Sequence, residues 1–243
     1  MDRNSDADKI FECICNTDGD GIITKYHGTA EDIIIPAKIG GVTIKEIGVI
    51  AFHCCRNLQS VSISAGIKKI AFSAFSDCEN LKSVKVDYGL SEISKFVFSG
   101  CRNLENIELP RSINNIGSGT FSGCSNLKNF KSPLEKIFRY GDFICEMKIL
   151  EGIHIHSCIS QNSVLMIPEF VKNLPVTAID DFAFSGCQNL ETVSIPKFIY
   201  DIGFSAFNGC QNLKFVRTQK YFTDSEIIKS FGNKSELKFL QDF

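Results

Sequence analysis

The 243-residue chain has no tryptophan, three methionines, four histidines and no excess of either charge. Lys and Arg number 26 against 28 Asp and Glu, a formal net charge of −2, so no global field draws it to nucleic acid or to an anionic membrane. No apolar run approaches the roughly 20 residues of a membrane-spanning helix, so no membrane insertion is expected. The start, MDRNSDADKI, places three acids ahead of its first short apolar stretch and lacks the order of a signal peptide. On the residues alone the chain is expected to be intracellular, or an export signal has been removed ahead of it. Enzyme signatures are missing too: no GxGxxG opens a helix, and neither GxxxxGK[ST] nor GxSxG occurs. His27, His53, His154 and His156 all fall outside the regular strands, and no Ser has a His and a carboxylate at a placeable spacing. Neither catalysis nor a cofactor is expected. The 44% hydrophobic share is that of a globular protein, and the length allows one large domain or two small ones.

What the chain has in quantity is 21 phenylalanines and 11 cysteines, and both are positional. Phe52, Phe75, Phe98 and Phe121 stand 23 residues apart, as do Phe184 and Phe207. Three residues after each comes Cys (Cys55, Cys78, Cys101, Cys124, Cys187 and Cys210), five after comes Asn, and six after comes Leu. Ile stands five before each, from Ile47 to Ile202. Columns of this kind are an internal repeat. After each Asn comes an apolar stretch, such as LQSVSI at 58–63 or LKSVKV at 81–86. Its later positions alternate, as a strand with one buried face must. The following run of Ile and Phe, broken by Gly and Ser, is too short for a long helix. One unit cannot bury its apolar side alone. Units stacked at the roughly 4.8 Å strand spacing share continuous ladders of Leu, Val, Ile and Phe, which is a solenoid.

Strings such as IELPRSINNIGSGTFSGCSNL and VSIPKFIYDIGFSAFNGCQNL resemble the BspA-type leucine-rich repeats of bacterial surface proteins and some parasitic protists, over about 40–218. The resemblance implies an α/β solenoid: a right-handed leucine-rich repeat horseshoe with a concave parallel β-sheet and short 3₁₀ or helical turns on the convex side. It also implies a protein-binding module of a surface or secreted protein, with host or extracellular matrix proteins among its partners. One feature departs from leucine-rich repeats in general. The Asn expected after the strand is missing, Ser112 standing there in one copy, while the Asn column precedes the strand. A different hydrogen-bond ladder must therefore satisfy the loop backbone.

The spacing breaks between Phe121 and Phe184, a gap of 63. IIIPAKIGGVTIKEIGVIAF (33–52) and LMIPEFVKNLPVTAIDDFAF (165–184) each set Pro 16 residues before the Phe, against 11 after Pro110 and Pro196, so the second restarts the pattern. Residues 1–131 read as an opening unit plus four repeats. Residues 132–218 read as a second opening unit plus two, stacked on the first as one solenoid, with Pro133 and Gly141 the plausible hinge. Residues 219–243 read as a C-terminal helical cap: Thr223-Asp-Ser-Glu226 is a capping box, and Ile227, Ile228 and Phe231 share a helical face before a stop at Gly232-Asn233. A second short helix is expected from Ser235 to Leu240.

Two places invite metal ligation. Asn16, Asp18 and Asp20, with Gly21, resemble the first half of an EF-hand loop, but His27 stands where the bidentate Glu belongs and the flanks read as strands. A hairpin turn is the preferred reading. His154, His156 and Cys158 would share one strand face, yet alternate side chains lie ~6–7 Å apart, too far for one tetrahedral ion without a bend. The Cys column reads as small buried hydrophobes, and Cys54-Cys55 and Cys13-x-Cys15 lack CxxC spacing.

With the apolar columns inward, the sheet face carries Ser83 and Lys85, Asn106 and Glu108, Asn129 and Lys131, and Phe215 and Arg217 as candidate protein-binding residues. Charge alternates along the adjoining column Gln59, Lys82, Glu105, Lys128, which pairs opposite charges across the ladder and leaves no basic track. Phe215 and Arg217 are the candidate anchors, and Ser122, on the opposite turn, is expected to tolerate change. An intracellular scaffold is the alternative to a surface binder. Nothing in the sequence sets an oligomeric state.

Overall fold

The computed structural model describes residues 10–232 and 236–241. The chain forms two compact units, Met1–Thr120 with Cys124–Leu134, and Phe121–Gly123 with Glu135–Phe243. Each is a β-solenoid with two sheets. In the first unit the strands that follow the Asn column stack in parallel as a five-stranded sheet, in the order Asn129–Lys131, Asn106–Glu108, Ser83–Val86, Ser60–Ile63, Asp32–Ile35. The Ile column forms the second sheet, whose register sets Ile47, Ile70, Ile93 and Ile116 one above another. The unit opens on an antiparallel hairpin, Phe11–Cys15 against Gly21–Tyr26, around the Asp-Gly turn that the sequence marks. Among the described residues, no helix is long and apolar enough to cross a membrane.

The columns become ladders. All six repeat phenylalanines are fully buried, with neighbouring rings stacked at 4.7 Å for Phe52–Phe75 and 4.6 Å for Phe184–Phe207. The Cys column is buried beside them from Cys78 on, while Cys55, where the column begins, is half-buried. These thiols also bond: Cys78, Cys101 and Cys124 each donate to the carbonyl of the Phe one coil back, at 3.0, 3.1 and 3.0 Å. The Asn column supplies the expected alternative ladder. Asn80 Nδ2 donates to the Arg56 carbonyl at 2.8 Å, and Asn126 to Asn103 Oδ1 at 3.1 Å. The Phe-x-x-Cys segments are turns closed by i→i+3 hydrogen bonds, such as Cys101 N to Phe98 O at 3.1 Å. Charge pairing across coils follows the alternation, with Lys128 Nζ 3.4 Å from Glu105 Oε2.

The second unit also opens on antiparallel strands, Ile137–Tyr140, Phe143–Lys148 and Gly152–Cys158, the last running parallel to Leu174–Ile179. Gly141, at φ +56°, belongs to the tight turn between the first two of these strands. Glu146 is buried here between Lys136 at 2.9 Å and Lys148 at 2.7 Å. Ser122 corrects an expectation: it is fully buried, its Oγ donating to the Ala183 carbonyl at 2.8 Å, and the serines at the same position in other coils, Ser76, Ser99 and Ser185, are also buried.

The C-terminal segment also differs from expectation. The helix Asp224–Phe231 forms with its capping box, Thr223 N donating to Glu226 Oε2 at 2.8 Å. Ile228 nevertheless points outward, and Phe231 is the ring that is buried, stacked on Phe207 at 4.6 Å and 6°. Residues 233–235 lie outside the described residues. Where a second helix was expected, Lys238–Gln241 is a strand paired in parallel with Phe215–Thr218. KFLQ satisfies the open edge of the preceding strand, which a helix cannot do, and sets Phe239 against Phe231, 5.7 Å between ring centroids. The cap is thus a further coil, with a helix in place of the Phe turn.

Candidate functional site

Strand alternation builds the sheet face of the first unit. Val84 and Ile107 turn inward, so the neighbouring residues must face solvent. Parallel register then aligns Ser83, Asn106 and Asn129 in one row and Lys85, Glu108 and Lys131 in the next. These six, with Val84 and Ile107, line an open depression of about 420 Å³. Asn129 Nδ2 donates to Asn106 Oδ1 at 2.7 Å, which fixes both amides and leaves outward donors and acceptors for a partner. The second row alternates positive, negative, positive. A surface of short polar side chains across three coils suits an extended peptide or a protein edge better than a small apolar ligand.

The corresponding face of the second unit is more apolar. Val164, Thr192, Phe215 and Lys238 form one row, and Met166, Ser194, Arg217 and Leu240 the next. Phe215 is half-buried between Thr192 and Lys238, beside the last strand rather than beneath it. Arg217 is exposed next to Leu240.

The two metal-ligating candidates from the sequence are arranged for other tasks. Asn16 Oδ1 accepts from the amides of Asp18 and Asp20 at 3.0 and 2.9 Å, closing the hairpin turn with the oxygen a cation would need. His27 pairs with Glu12 at 3.2 Å. On the strand Gly152–Cys158, His154 lies 3.0 Å from Asp180 Oδ1 and 3.4 Å from Glu151 Oε2, whereas His156 is buried against Ser157 and Cys158 is buried in the core.

A cluster that sequence reasoning misses lies on the outer turns of the first unit. Among the described residues, His53, Cys54 and Asp77 are the one trio whose donor atoms all come within 4.8 Å of one another. His53 Nε2 is 3.2 Å from Cys54 Sγ, and His53 Nδ1 is 2.8 Å from Ser76 Oγ and 3.9 Å from Asp77 Oδ2. Partial burial and the Asp77 carboxylate push the Cys54 thiol above its usual pKa. The signal in the sequence is a departure from the repeat. The residue after the repeat Phe is Ser in four copies and His only at 53; the next is Gly in four and Cys or Asp only at 54 and 77.

A family model described as the BspA type leucine rich repeat region matches residues 45–165 and 162–240, in 6 copies. Among solved structures, the chain is similar to a leucine-rich repeat protein from Eubacterium ventriosum, with 15% identity and a TM-score of 0.51 over 88% of this chain and 71% of that one. It is also similar to the leucine rich repeat protein of T. pallidum, with 24% identity and a TM-score of 0.45 over 84% and 88%. A leucine rich cell surface protein from Faecalibacterium prausnitzii shares 22% identity, with a TM-score of 0.41 over 86% and 81%. At these identities a likeness concerns the fold alone. No functionally curated protein matches the chain.

Proposed function

We propose that this chain, which belongs to the BspA-type leucine-rich repeat family, is a non-enzymatic protein-binding module that takes its partner on the concave sheet face. The depression lined by Ser83, Lys85, Asn106, Glu108, Asn129 and Lys131 carries this reading. It spans neighbouring coils, so a partner would gain many modest polar contacts, while the alternating Lys and Glu set its register. In this reading the module is displayed on a cell surface or secreted, and its partner is a host or extracellular matrix protein. Hydrogen exchange on the complex with a ligand selected from an array of immobilised matrix and host-surface proteins tests it. Protection should rise in Ser83–Val86, Asn106–Glu108 and Asn129–Lys131; protection confined to the outer turns refutes the assignment.

An intracellular scaffold is the second reading, favoured by exposed unpaired thiols at Cys15 and Cys54, which an oxidising compartment tends to consume. Thiol titration of the chain from its native source separates the two. Eleven free thiols support the scaffold, and disulfides support export.

A further inference from the structure

We propose that His53, Cys54 and Asp77 bind a divalent transition-metal ion of the zinc class. An imidazole, a thiol and a carboxylate are the side chains zinc takes in proteins, and around a tetrahedral ion they lie about 3.3–3.8 Å apart. His53 Nε2 is already 3.2 Å from Cys54 Sγ, and Asp77 Oδ2 stands 3.9 Å from His53 Nδ1, so rotation of the Asp77 side chain towards Nε2 completes that spacing. The side chains of His53 and Asp77 are 43% and 50% exposed, so a water can complete the fourth position.

Two further observations point the same way. Ser76 Oγ lies 2.9 Å from the Ser73 carbonyl and 2.8 Å from His53 Nδ1, so with its hydrogen on the carbonyl it accepts from Nδ1–H. In the tautomer with the proton on Nδ1, Ser76 Oγ anchors the ring and Nε2 presents its lone pair beside Cys54, the arrangement that metal-ligating histidines use. The second is backbone conformation. The position two after the repeat Phe is left-handed in successive coils, φ +59° at Cys54, +57° at Asp77 and +75° at Gly100. Glycine adopts this conformation freely, and it fills the column at Gly100, Gly123, Gly186 and Gly209. Only two adjacent coils place a side chain there against that preference, and both side chains can ligate metal. A Cβ at Gly100 would overlap Asp77 Oδ1, so the glycine of the next coil leaves the carboxylate its room. On binding, the Cys54 sulfur exchanges its hydrogen for the ion and the proton leaves to solvent.

Glycine itself supplies the test, because Cys54→Gly and Asp77→Gly restore the residue the column prefers and should melt no lower than the parent without metal. Zinc is titrated into the reduced full chain against a chromophoric chelator, with cobalt as the spectroscopic probe. The parent should take up one ion, with a thiolate-to-cobalt charge-transfer band. Each glycine variant should bind at least tenfold more weakly, and Cys54→Gly should lose the band. Ser76→Ala, which removes the positioning contact together with the hydroxyl's bond to the Ser73 carbonyl, should weaken binding about 10–100-fold. A Cys54→Gly chain that keeps the parent's zinc affinity or its cobalt band, as it would if Cys13 and Cys15 held the ion, overturns the proposal, as does a parent that takes up no zinc.

Discussion

Cys101 donates its thiol hydrogen to the carbonyl of Phe75, 3.1 Å away and one coil back. The same bond recurs from Cys78 to Phe52 and from Cys124 to Phe98, and in the second unit from Cys210 to Phe184. A column that looks like small hydrophobes is thus also a ladder of weak donors, and burial pushes the Cys101 thiol up, away from the reactive thiolate. Cys101→Ser should hold the donor and stay within about 1 kcal/mol of the parent in urea denaturation, with Cys101→Ala costing about 1 kcal/mol more than Ser. Cys101→Arg should fail to fold stably, since the column has no room or solvent for a charge. A Cys101→Arg chain melting within a degree of the parent refutes the ladder.

Phe98 carries the same logic in apolar form. It is fully buried with its ring 5.6 Å from that of Phe75, so Phe98→Ala should cost about 3–5 kcal/mol by chemical denaturation. A loss below about 1 kcal/mol means the coils can close over the gap.

The last coil separates a cap from a repeat. Phe231 is 2% exposed and stacked on Phe207, whereas Ile228 is 63% exposed. Phe231→Ala should cost about 3–5 kcal/mol, and Ile228→Ala should stay within about 0.5 kcal/mol. Equal losses from both would describe an amphipathic cap instead.

Acid should weaken the second unit through two carboxylates. Desolvation opposes ionisation of Glu146, but hydrogen bonds from Lys148 and Lys136 outweigh it and lower its pKa. The amide of Thr223 and then its hydroxyl hold Glu226 down to about 2. Both folded-state values lie below the ordinary 4.5, so their stabilisation is present above that pH and fades as pH falls towards the folded values. In melting curves from pH 7 to pH 2, the gap between the parent and Glu146→Gln/Glu226→Gln should be widest near neutrality and shrink in acid. A gap independent of pH contradicts the assignment.

The repeat is legible because identical residues recur at one spacing, and stacking is the only way such units bury their Phe, Leu and Ile. The polar rows around Asn106 follow from strand alternation alone. The last coil is harder to read because Phe231 follows Phe207 by 24 residues, with Lys234 and Glu236 where Cys and Asn stand elsewhere. The opening strands at 137–158 carry no column residue, so only the pairing of Phe143–Lys148 with Gly152–Cys158 reveals them. The Phe215 environment depends on the strand Lys238–Gln241, whose own pattern is too short to separate from a helical turn. Asp77 meets His53 and Cys54 only across coils, so the proximity of the three appears once register is known.

The most direct measurement of the sheet-face account is binding of an array-selected protein partner by three melting-matched chains. Asn106→Arg fills the depression, Phe215→Ala/Arg217→Ala removes the candidate anchors of the second unit, and Asn114→Arg places the same charge on an exposed position outside the depression. The account predicts at least tenfold weaker binding for Asn106→Arg, a smaller or equal loss for the double variant, and no change for Asn114→Arg. Parent-like affinity in Asn106→Arg, with melting unaltered, would contradict it.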